Sequence, residues 1–175
     1  MDGHGFHEFV RSRLGTLSRI AYLLAGDHHA AQDLLQNALI KIATHWERVA
    51  RAGEPMAYVR RVLYHEHVSG WRRDKHLRAE QSTESLPERS RGGDEAGEVV
   101  RRMVLEQALT RLTARQRALL VLRYFEDISE AETARILGIA VGSVKSQTSH
   151  ALGRLRTLAP ELADLVREPG VRGRD

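Results

Sequence analysis

Apolar residues recur three or four positions apart along most of this chain, the spacing that places them on one face of an α-helix. The first series is Leu14, Leu17, Ala21 and Leu24. Gly26 is suited to end that helix, and Asp27 to cap the next one with its carboxylate. No segment alternates polar and apolar residues or carries a hairpin turn, so the pattern predicts an all-α protein.

Two more helices are predicted in the N-terminal part. One of them begins at Glu54-Pro55, because proline is tolerated at the first helical position. An apolar stripe then runs from Met56 toward Trp71. The other helix lies earlier in the chain and has a broad apolar face, made of Leu34, Leu35, Ala38, Leu39, Ile42, Ala43 and Trp46.

The helical pattern returns at Val100, and Val104, Leu105, Ala108, Leu109 and Leu112 predict a helix. Thr113 and Gln116 then match a capping box, in which each side chain accepts from the other residue's backbone N–H. This box predicts a helix whose apolar face is Leu119, Leu120, Leu122 and Tyr124.

Ser129 and Glu132 repeat the box and open the segment 129–156, which continues as a short helix, a turn at Gly138 and a longer basic helix from about Val141 to Pro160. A DNA-reading helix-turn-helix has this order, and its second helix enters the major groove. The expected inward residues are Val144, Thr148, Ala151, Leu152, Leu155 and Leu158. The outward residues are Ser143, Lys145, Ser146, Gln147, Ser149 and His150.

Charge supports a polyanionic partner for this segment. No acidic residue lies between Glu132 and Glu161, whereas Arg135, Lys145, Arg154 and Arg156 do. A basic stripe of this kind is typical of nucleic-acid binding. The alternative is an ordinary helical hairpin with a solvated cationic face.

Residues 74–100 lack helical periodicity and hold four Lys or Arg against seven Asp or Glu. Their Ser, Glu, Arg and Gly content predicts a flexible, acidic linker. The chain is therefore divided into a helical domain at 1–73, the linker at 74–100, a helix-turn-helix domain at 101–160 and a disordered tail at 161–175.

The composition narrows the class of protein. The chain has 175 residues, a net charge of +4 and no cysteine, so disulfides are excluded and a reducing compartment is indicated. The longest apolar run is 20–25, far short of the about 20 residues that span a bilayer. The N-terminus has no apolar signal region. These features predict a cytoplasmic protein without a membrane partner.

No catalytic or cofactor motif is found. Nucleophile, phosphate-loop and dinucleotide signatures are missing. His65 and His67 diverge on a helix, as do His28 and His29, and His4 and His7 lack a third ligand nearby. We therefore expect neither a metal nor another cofactor, and no enzymatic activity; a metal-dependent enzyme remains the weaker alternative.

Three segments, in order, resemble extracytoplasmic-function (group 4) sigma factors of bacterial RNA polymerase, within the sigma-70 family. LTARQRALLVLRYFEDISEAETARILGIAVGSVKSQTSHALGRLRTL (112–158) is similar to region 4. DLLQNALIKIATHWERV (33–49) resembles the polymerase-binding part of region 2, and PMAYVRRVLYHEHVSGWRR (55–73) its promoter-opening part. The abundance of Arg and Ala is typical of actinobacteria.

The resemblance implies that one helix binds the β′ clamp of core RNA polymerase. Asn37 stands where the family usually has glutamate, so one charge contact is missing. The alternative for this helix is a solvated face. The implied polymerase-binding residues are Asp33, Gln36, Asn37, Ile40 and Lys41.

The resemblance also implies that the segment 55–73 recognises and melts the −10 promoter element. Capture of a single strand requires cations and flat side chains on which bases stack. His65 stands where many relatives have asparagine, and Trp71 is equally suited to stacking or to the core. The implied −10 residues are Arg60, Arg61, Tyr64, His65, His67, Trp71, Arg72 and Arg73.

The resemblance further implies that the basic helix that starts at about Val141 recognises the −35 promoter element and that Arg123 contacts the DNA backbone. Gln147 and His150 replace common arginines, which should lower the salt dependence of binding, and glutamine favours adenine. Ala140 lacks the side chain of a good helix cap. The implied −35 residues are Arg123, Ser143, Lys145, Ser146, Gln147, Ser149, His150 and Arg154.

The linker explains why a partner is needed. As a coil, it spans roughly 30 Å, and stretched it reaches roughly 90 Å, while the two promoter elements lie roughly 70 Å apart. It cannot set that distance, so core polymerase, through its β′ and β subunits, is the implied ruler. Without polymerase, the two domains can fold onto each other or onto an acidic partner. The predicted partners are core polymerase, promoter DNA and an anti-sigma factor; the alternative function is a stand-alone helix-turn-helix regulator.

Overall fold

The computed structural model describes the backbone of residues 3–78 and 94–162 and the side chains of 5–70 and 97–162. Within these residues the protein has eight α-helices and no strand, which confirms the all-α prediction. The helices are α1 (Gly3–Ala25), α2 (His28–Ala43), α3 (Trp46–Arg51), α4 (Pro55–Arg78), α5 (Asp94–Thr110), α6 (Ala114–Leu120), α7 (Glu130–Leu137) and α8 (Val141–Leu158). We call α1–α4 the N-terminal bundle and α5–α8 the C-terminal bundle.

Helix caps agree closely with the local sequence. The Asp27 carboxylate accepts from His29 N at 2.7 Å, which starts α2 as predicted. Thr113 and Gln116 form the complete capping box of α6. At α7 only half of the second box forms: Ser129 accepts from Glu132 N, but the Glu132 side chain pairs with Arg135 instead.

Three residues that were predicted to lie on apolar helix faces, Leu14, Ala43 and Tyr124, are exposed. The helix expected to continue from α6 through Tyr124 instead widens into a π-helical turn over Val121–Phe125, in which Glu126 N donates to Val121 O. This turn carries Tyr124 and Phe125 to the surface. Leu14 is also exposed, one turn before the first buried residue of α1, Leu17.

The two bundles share one hydrophobic core. Buried side chains of α1, α2 and α4 meet Ala118, Val121, Leu122 and Ile136 of the C-terminal bundle in a single cluster. A second cluster, which includes Leu109, Leu152 and Leu155, lies almost wholly within the C-terminal bundle. The two bundles are therefore packed together, as the sequence allowed for the chain without polymerase.

Helices extend into both ends of the predicted linker. Residues 74–78 continue α4, and residues 94–100 belong to α5, so helices overlap both ends of the predicted linker 74–100. Residues 79–93 lie outside the described residues. Pro160–Leu162 form a 3-10 turn in which Leu162, the second residue of the predicted tail, is buried. Residues 163–175 also lie outside the described residues.

None of the described helices is both long and apolar enough to span a membrane.

Candidate nucleic-acid and polymerase interfaces

Helix α8 has an inward and an outward face that match the sequence analysis closely. Val144, Thr148, Ala151, Leu152 and Leu155 are buried, while Leu158 is only partly buried. Leu119, Ala134 and Val144 form a small core between α6, α7 and α8. This core sets the angle of the helix pair.

The turn between α7 and α8 requires a glycine. Gly138 has φ +64°, in the left-handed region, and no other atom lies within 4 Å of the position of a Cβ there. Backbone conformation rather than space therefore favours glycine. Ala140, the N-cap of α8, makes no side-chain hydrogen bond to the helix.

The outward face of α8 is open to solvent. Its long polar side chains, Lys145 and His150, are exposed, and Gln147 is half-buried at the edge. Ser146 Oγ donates to the carbonyl of Ser143 at 3.2 Å, so this hydroxyl partly satisfies itself within the helix. The remaining predicted −35 residues on α8 are Ser143, which is half-buried, and Ser149 and Arg154, which are exposed.

Arg123 is placed differently from the other −35 candidates. It lies in the π-helical turn, half-buried, and its Nη1 donates to the carbonyl of Ile128. This bond closes the loop before α7. Arg123 therefore has a structural task in addition to any contact with DNA.

The predicted polymerase face lies on the solvent side of α2. Asp33, Gln36 and Asn37 are exposed. Ile40 is 57% exposed in the middle of this polar face, although it is a large apolar side chain. Lys41 is also exposed and forms an ion pair with Glu66 of α4, with 2.6 Å between Nζ and Oε1.

Helix α4 divides the predicted −10 residues between two faces. Arg61 and His65 are exposed, whereas Arg60 and His67 are half-buried and Tyr64 is fully buried against the C-terminal bundle. In this arrangement Tyr64 offers no ring to a base, contrary to the expectation from sequence, because it is part of the shared core. The side chains of Trp71, Arg72 and Arg73 lie outside the described residues.

The buried face of α4 meets a carboxylate. Glu126 accepts from Arg60 Nε through one oxygen and from the Tyr64 hydroxyl through the other, at 3.0 Å. The Glu126 side chain is only 4% exposed. Burial and the neighbouring Glu126 charge raise the pKa of Tyr64 well above its usual value, so this hydroxyl keeps its proton and donates.

His67 also lies on the side of α4 that faces the C-terminal bundle. Its Nε2 lies 3.2 Å from the carbonyl of Ala114. Burial, and secondarily the positive charge of Arg117, lower the pKa of His67 to about 4, although the bond to Ala114 opposes the shift. The ring is therefore neutral near pH 7 and donates to that carbonyl.

Arg117 also joins the two bundles, and no sequence pattern indicated this role. The buried guanidinium donates to Leu24 O of α1 and to Thr110 O, both at 2.6 Å. Burial lowers its pKa to about 10. Gly26 has φ +81°, and a Cβ there would come within 2.3 Å of Thr110, so the approach of α1 needs a glycine.

Glu126 and Arg117 are functional candidates without a clear sequence signal. Each looks like an ordinary charged position, and only the fold shows its long-range partners. Groups of three or more His, Asp or Glu that could hold a metal ion are not found among the described residues.

Comparisons with known proteins agree with this geometry. Residues 9–77 match the family "Sigma-70 region 2", and residues 102–155 match "Sigma-70, region 4". The chain is similar to the RNA polymerase sigma-E factor of Streptomyces avermitilis, with 40% identity over 86% of this chain and 83% of that one. It is also similar to the ECF RNA polymerase sigma factor SigL of Mycobacterium tuberculosis, with 32% identity over 83% and 84%.

A solved structure is similar over nearly the whole chain. It is the sigma factor RpoE of Bartonella quintana in complex with the anti-sigma factor NepR, with a TM-score of 0.66, 25% identity and coverage of 89% of this chain and 97% of that one.

Two family regions in the expected order and a helix-turn-helix with an open outer face define a transcription-initiation factor. The chain belongs to the sigma-70 family of RNA polymerase sigma factors, in its extracytoplasmic-function branch. The resemblance drawn from the three sequence segments is thus confirmed. The region 2 match also weighs against a stand-alone regulator, which needs no such domain.

Proposed function

We propose that this protein is an alternative sigma factor that uses three separate surfaces. The outer face of α2 binds core polymerase, α4 reads and opens the −10 element, and α8 reads the −35 element in the major groove. Region 2 is assigned to 1–73 and region 4 to 101–160. The protein acts in the cytoplasm as a non-catalytic subunit without a cofactor.

The single observation that carries this proposal is the open outer face of α8. Its inner side is fully used by the core, while Lys145 and His150 project into solvent. A helix anchored on one side and exposing hydrogen-bonding groups on the other is what the major groove admits.

The exposed Ile40 supports the assignment of α2. A solvated face gains nothing from an apolar side chain at this degree of exposure, whereas a docking face buries it on binding. Gln36 and Asn37 lie one turn before Ile40, and Asp33 lies two turns before it. These exposed polar residues supply the rim of such a contact.

An anti-sigma factor is a further candidate partner. The Bartonella sigma factor is bound by one, and the described part of this chain follows the same fold. The basic segment 129–156, which holds Arg135, Lys145, Arg154 and Arg156, offers such a partner an electrostatic target.

Run-off transcription with purified core polymerase tests the function. We expect the protein to co-purify with core polymerase and to start transcripts at its promoters. Asp33→Arg should abolish both, because it reverses the charge on the docking face, two helical turns before Ile40. Glu54→Arg makes the same change of charge at an exposed position of the same bundle and should leave both intact.

The proposal fails if the unaltered protein neither co-purifies with core polymerase nor initiates transcription. Tight, specific binding of duplex promoter DNA without polymerase would favour the stand-alone regulator instead.

A further inference from the structure

The buried face of α4 and the C-terminal bundle meet through groups that would suit a nucleic acid equally well. Arg60 and the Tyr64 hydroxyl are donors, and both point at the two oxygens of Glu126. A carboxylate is an anionic acceptor, as a DNA phosphate is. Glu126 thus occupies the donors that α4 would offer to a DNA strand.

Glu126 reaches α4 because of the π-helical turn. The wider turn over Val121–Phe125 ends with Glu126 N bonded to Val121 O, and Asp127 then adopts φ +50°, in the left-handed region. The Glu126 side chain is thereby directed into the contact between the bundles rather than to solvent. A non-glycine residue in this conformation costs energy that the surrounding contacts offset.

We propose that Glu126 is an intramolecular latch: its contacts with Arg60 and Tyr64 hold region 4 over half of the −10 face, so that the free protein is closed to single-stranded DNA while its −35 face stays open. The inference rests on the proposed −10 role of α4. The latch must release before Arg60 can contact DNA, and binding to core polymerase, which separates the two regions, is the event that would release it.

The latch adds a charged element to an apolar contact. Leu122, Val121 and Ala118 already pack against the N-terminal bundle, so the apolar contact alone favours closure. The Glu126 carboxylate adds an ion pair to this contact. Removing the carboxylate leaves the half-buried Arg60 without its anionic partner, and an unpaired, partly buried charge destabilises the closed form.

A cysteine-labelling experiment measures opening independently of DNA. The chain has no cysteine, so Ala118→Cys introduces one thiol in the shared core, where Ala118 is fully buried. A thiol reagent then reacts at a rate proportional to the open population. Ala151→Cys, fully buried in the core of the C-terminal bundle, reports unfolding of that bundle instead.

Glu126→Gln should raise the labelling rate of Ala118→Cys roughly tenfold, since the half-buried Arg60 loses its anionic partner, and should not change that of Ala151→Cys. Glu132→Gln is the matched control, because it removes the same charge from the same bundle but breaks only the pair with Arg135 inside α7. Arg60→Glu combined with Glu126→Arg should restore slow labelling by reversing the ion pair. Equal labelling rates for Glu126→Gln and Glu132→Gln would overturn the latch.

Binding of a short, dye-labelled single-stranded DNA of mixed sequence completes the test. If the closed form excludes DNA, the affinity of Glu126→Gln should rise by the same factor as the labelling rate, because apparent affinity follows the competent population. Glu132→Gln corrects for the general effect of one lost negative charge. Faster labelling without tighter DNA binding would keep the latch as a contact and overturn the −10 role of α4.

Discussion

Helix α8 presents its proposed DNA face to solvent, whereas helix α4 turns half of its proposed DNA face toward the other bundle. The difference follows from what each helix packs on. Helix α8 rests on α6 and α7 of its own bundle, which cover only its inner side. Helix α4 is covered from two sides, because the C-terminal bundle packs on it in addition to α1 and α2. One DNA site is thus preformed, and the other depends on how the regions are arranged.

The largest effect is expected from the core that the bundles share. Leu122→Ala removes a fully buried side chain from it and should lower the free energy of unfolding by about 2–5 kcal/mol. Both tryptophans, Trp46 and Trp71, lie in the N-terminal half, so their fluorescence reports that half in a denaturant titration. The change should lower the midpoint of the tryptophan transition.

Leu152→Ala is the control for this experiment, since Leu152 belongs to the core of the C-terminal bundle. Leu152→Ala should lower the denaturation midpoint measured by helical circular dichroism more than the midpoint measured by tryptophan fluorescence. An unchanged tryptophan transition in Leu122→Ala would mean that the two bundles do not stabilise each other.

The next largest effect is expected from acid, which should weaken the contacts between the buried face of α4 and the C-terminal bundle. The folded pKa of His67 is about 4, below its usual 6.5, so the unfolded or separated chain binds the proton more readily. Stability from this contact is therefore complete above about pH 6.5 and falls as the pH drops toward 4, by at most about 3 kcal/mol. Denaturant midpoints measured across this range give the slope.

His67→Gln keeps a donor for Ala114 O but does not titrate, so its stability should depend less on pH over the same range. His65→Gln changes an exposed histidine two residues away and should leave the slope unchanged. Parallel slopes for the unaltered protein and His67→Gln would contradict the assignment.

A smaller effect is expected on the open face of α8. Lys145→Ala should weaken binding of a −35 duplex by roughly tenfold and reduce the salt slope by about 0.9, as expected for one lost phosphate contact. His150→Ala should weaken −35-dependent initiation in the same direction. Binding to core polymerase should be unaffected in both cases.

Arg111→Ala removes an exposed cation of the same bundle that is not part of α8, and it should change duplex affinity little. Loss of core binding by Lys145→Ala or His150→Ala would refute the division of roles between α2 and α8.

The smallest effect is a gain. Ala140→Ser supplies the missing N-cap hydroxyl of α8 and should raise the free energy of unfolding by about 0.5–1 kcal/mol. The backbone of Ala140 is already extended, at φ −67° and ψ 144°, as a cap requires. Thermal denaturation checks the gain, and a lower midpoint would show that another atom occupies the space of the hydroxyl.

Local chemistry explains why much of the fold could be predicted. Asp27 and Thr113 cap helices through partners two or three residues away, and Gly138 ends α7 through its own backbone conformation. The period of 3.6 residues separates the inward Val144 and Thr148 from the outward Lys145 and His150. Such signals act within one or two turns, so a single sequence contains them in full.

Contacts with a partner far along the chain could not be predicted from the sequence. Tyr64 has an apolar ring and a hydroxyl and would suit a stacking site, yet it is buried under Glu126, 62 residues away. Only half of the capping box at Ser129 formed, because the Glu132 side chain pairs with Arg135 instead of accepting from the backbone of Ser129.

The sequence by itself determined the helices, their caps, the two family regions and the open face of α8, because each depends on periodicity and neighbouring residues. Only the tertiary structure decided that the two bundles share a core, that Arg117 reaches Leu24, and that Glu126 meets Arg60 and Tyr64. The physical reason is that helical periodicity shows which side of a helix is buried but not what buries it. That choice is made by shape and charge brought together over more than sixty residues.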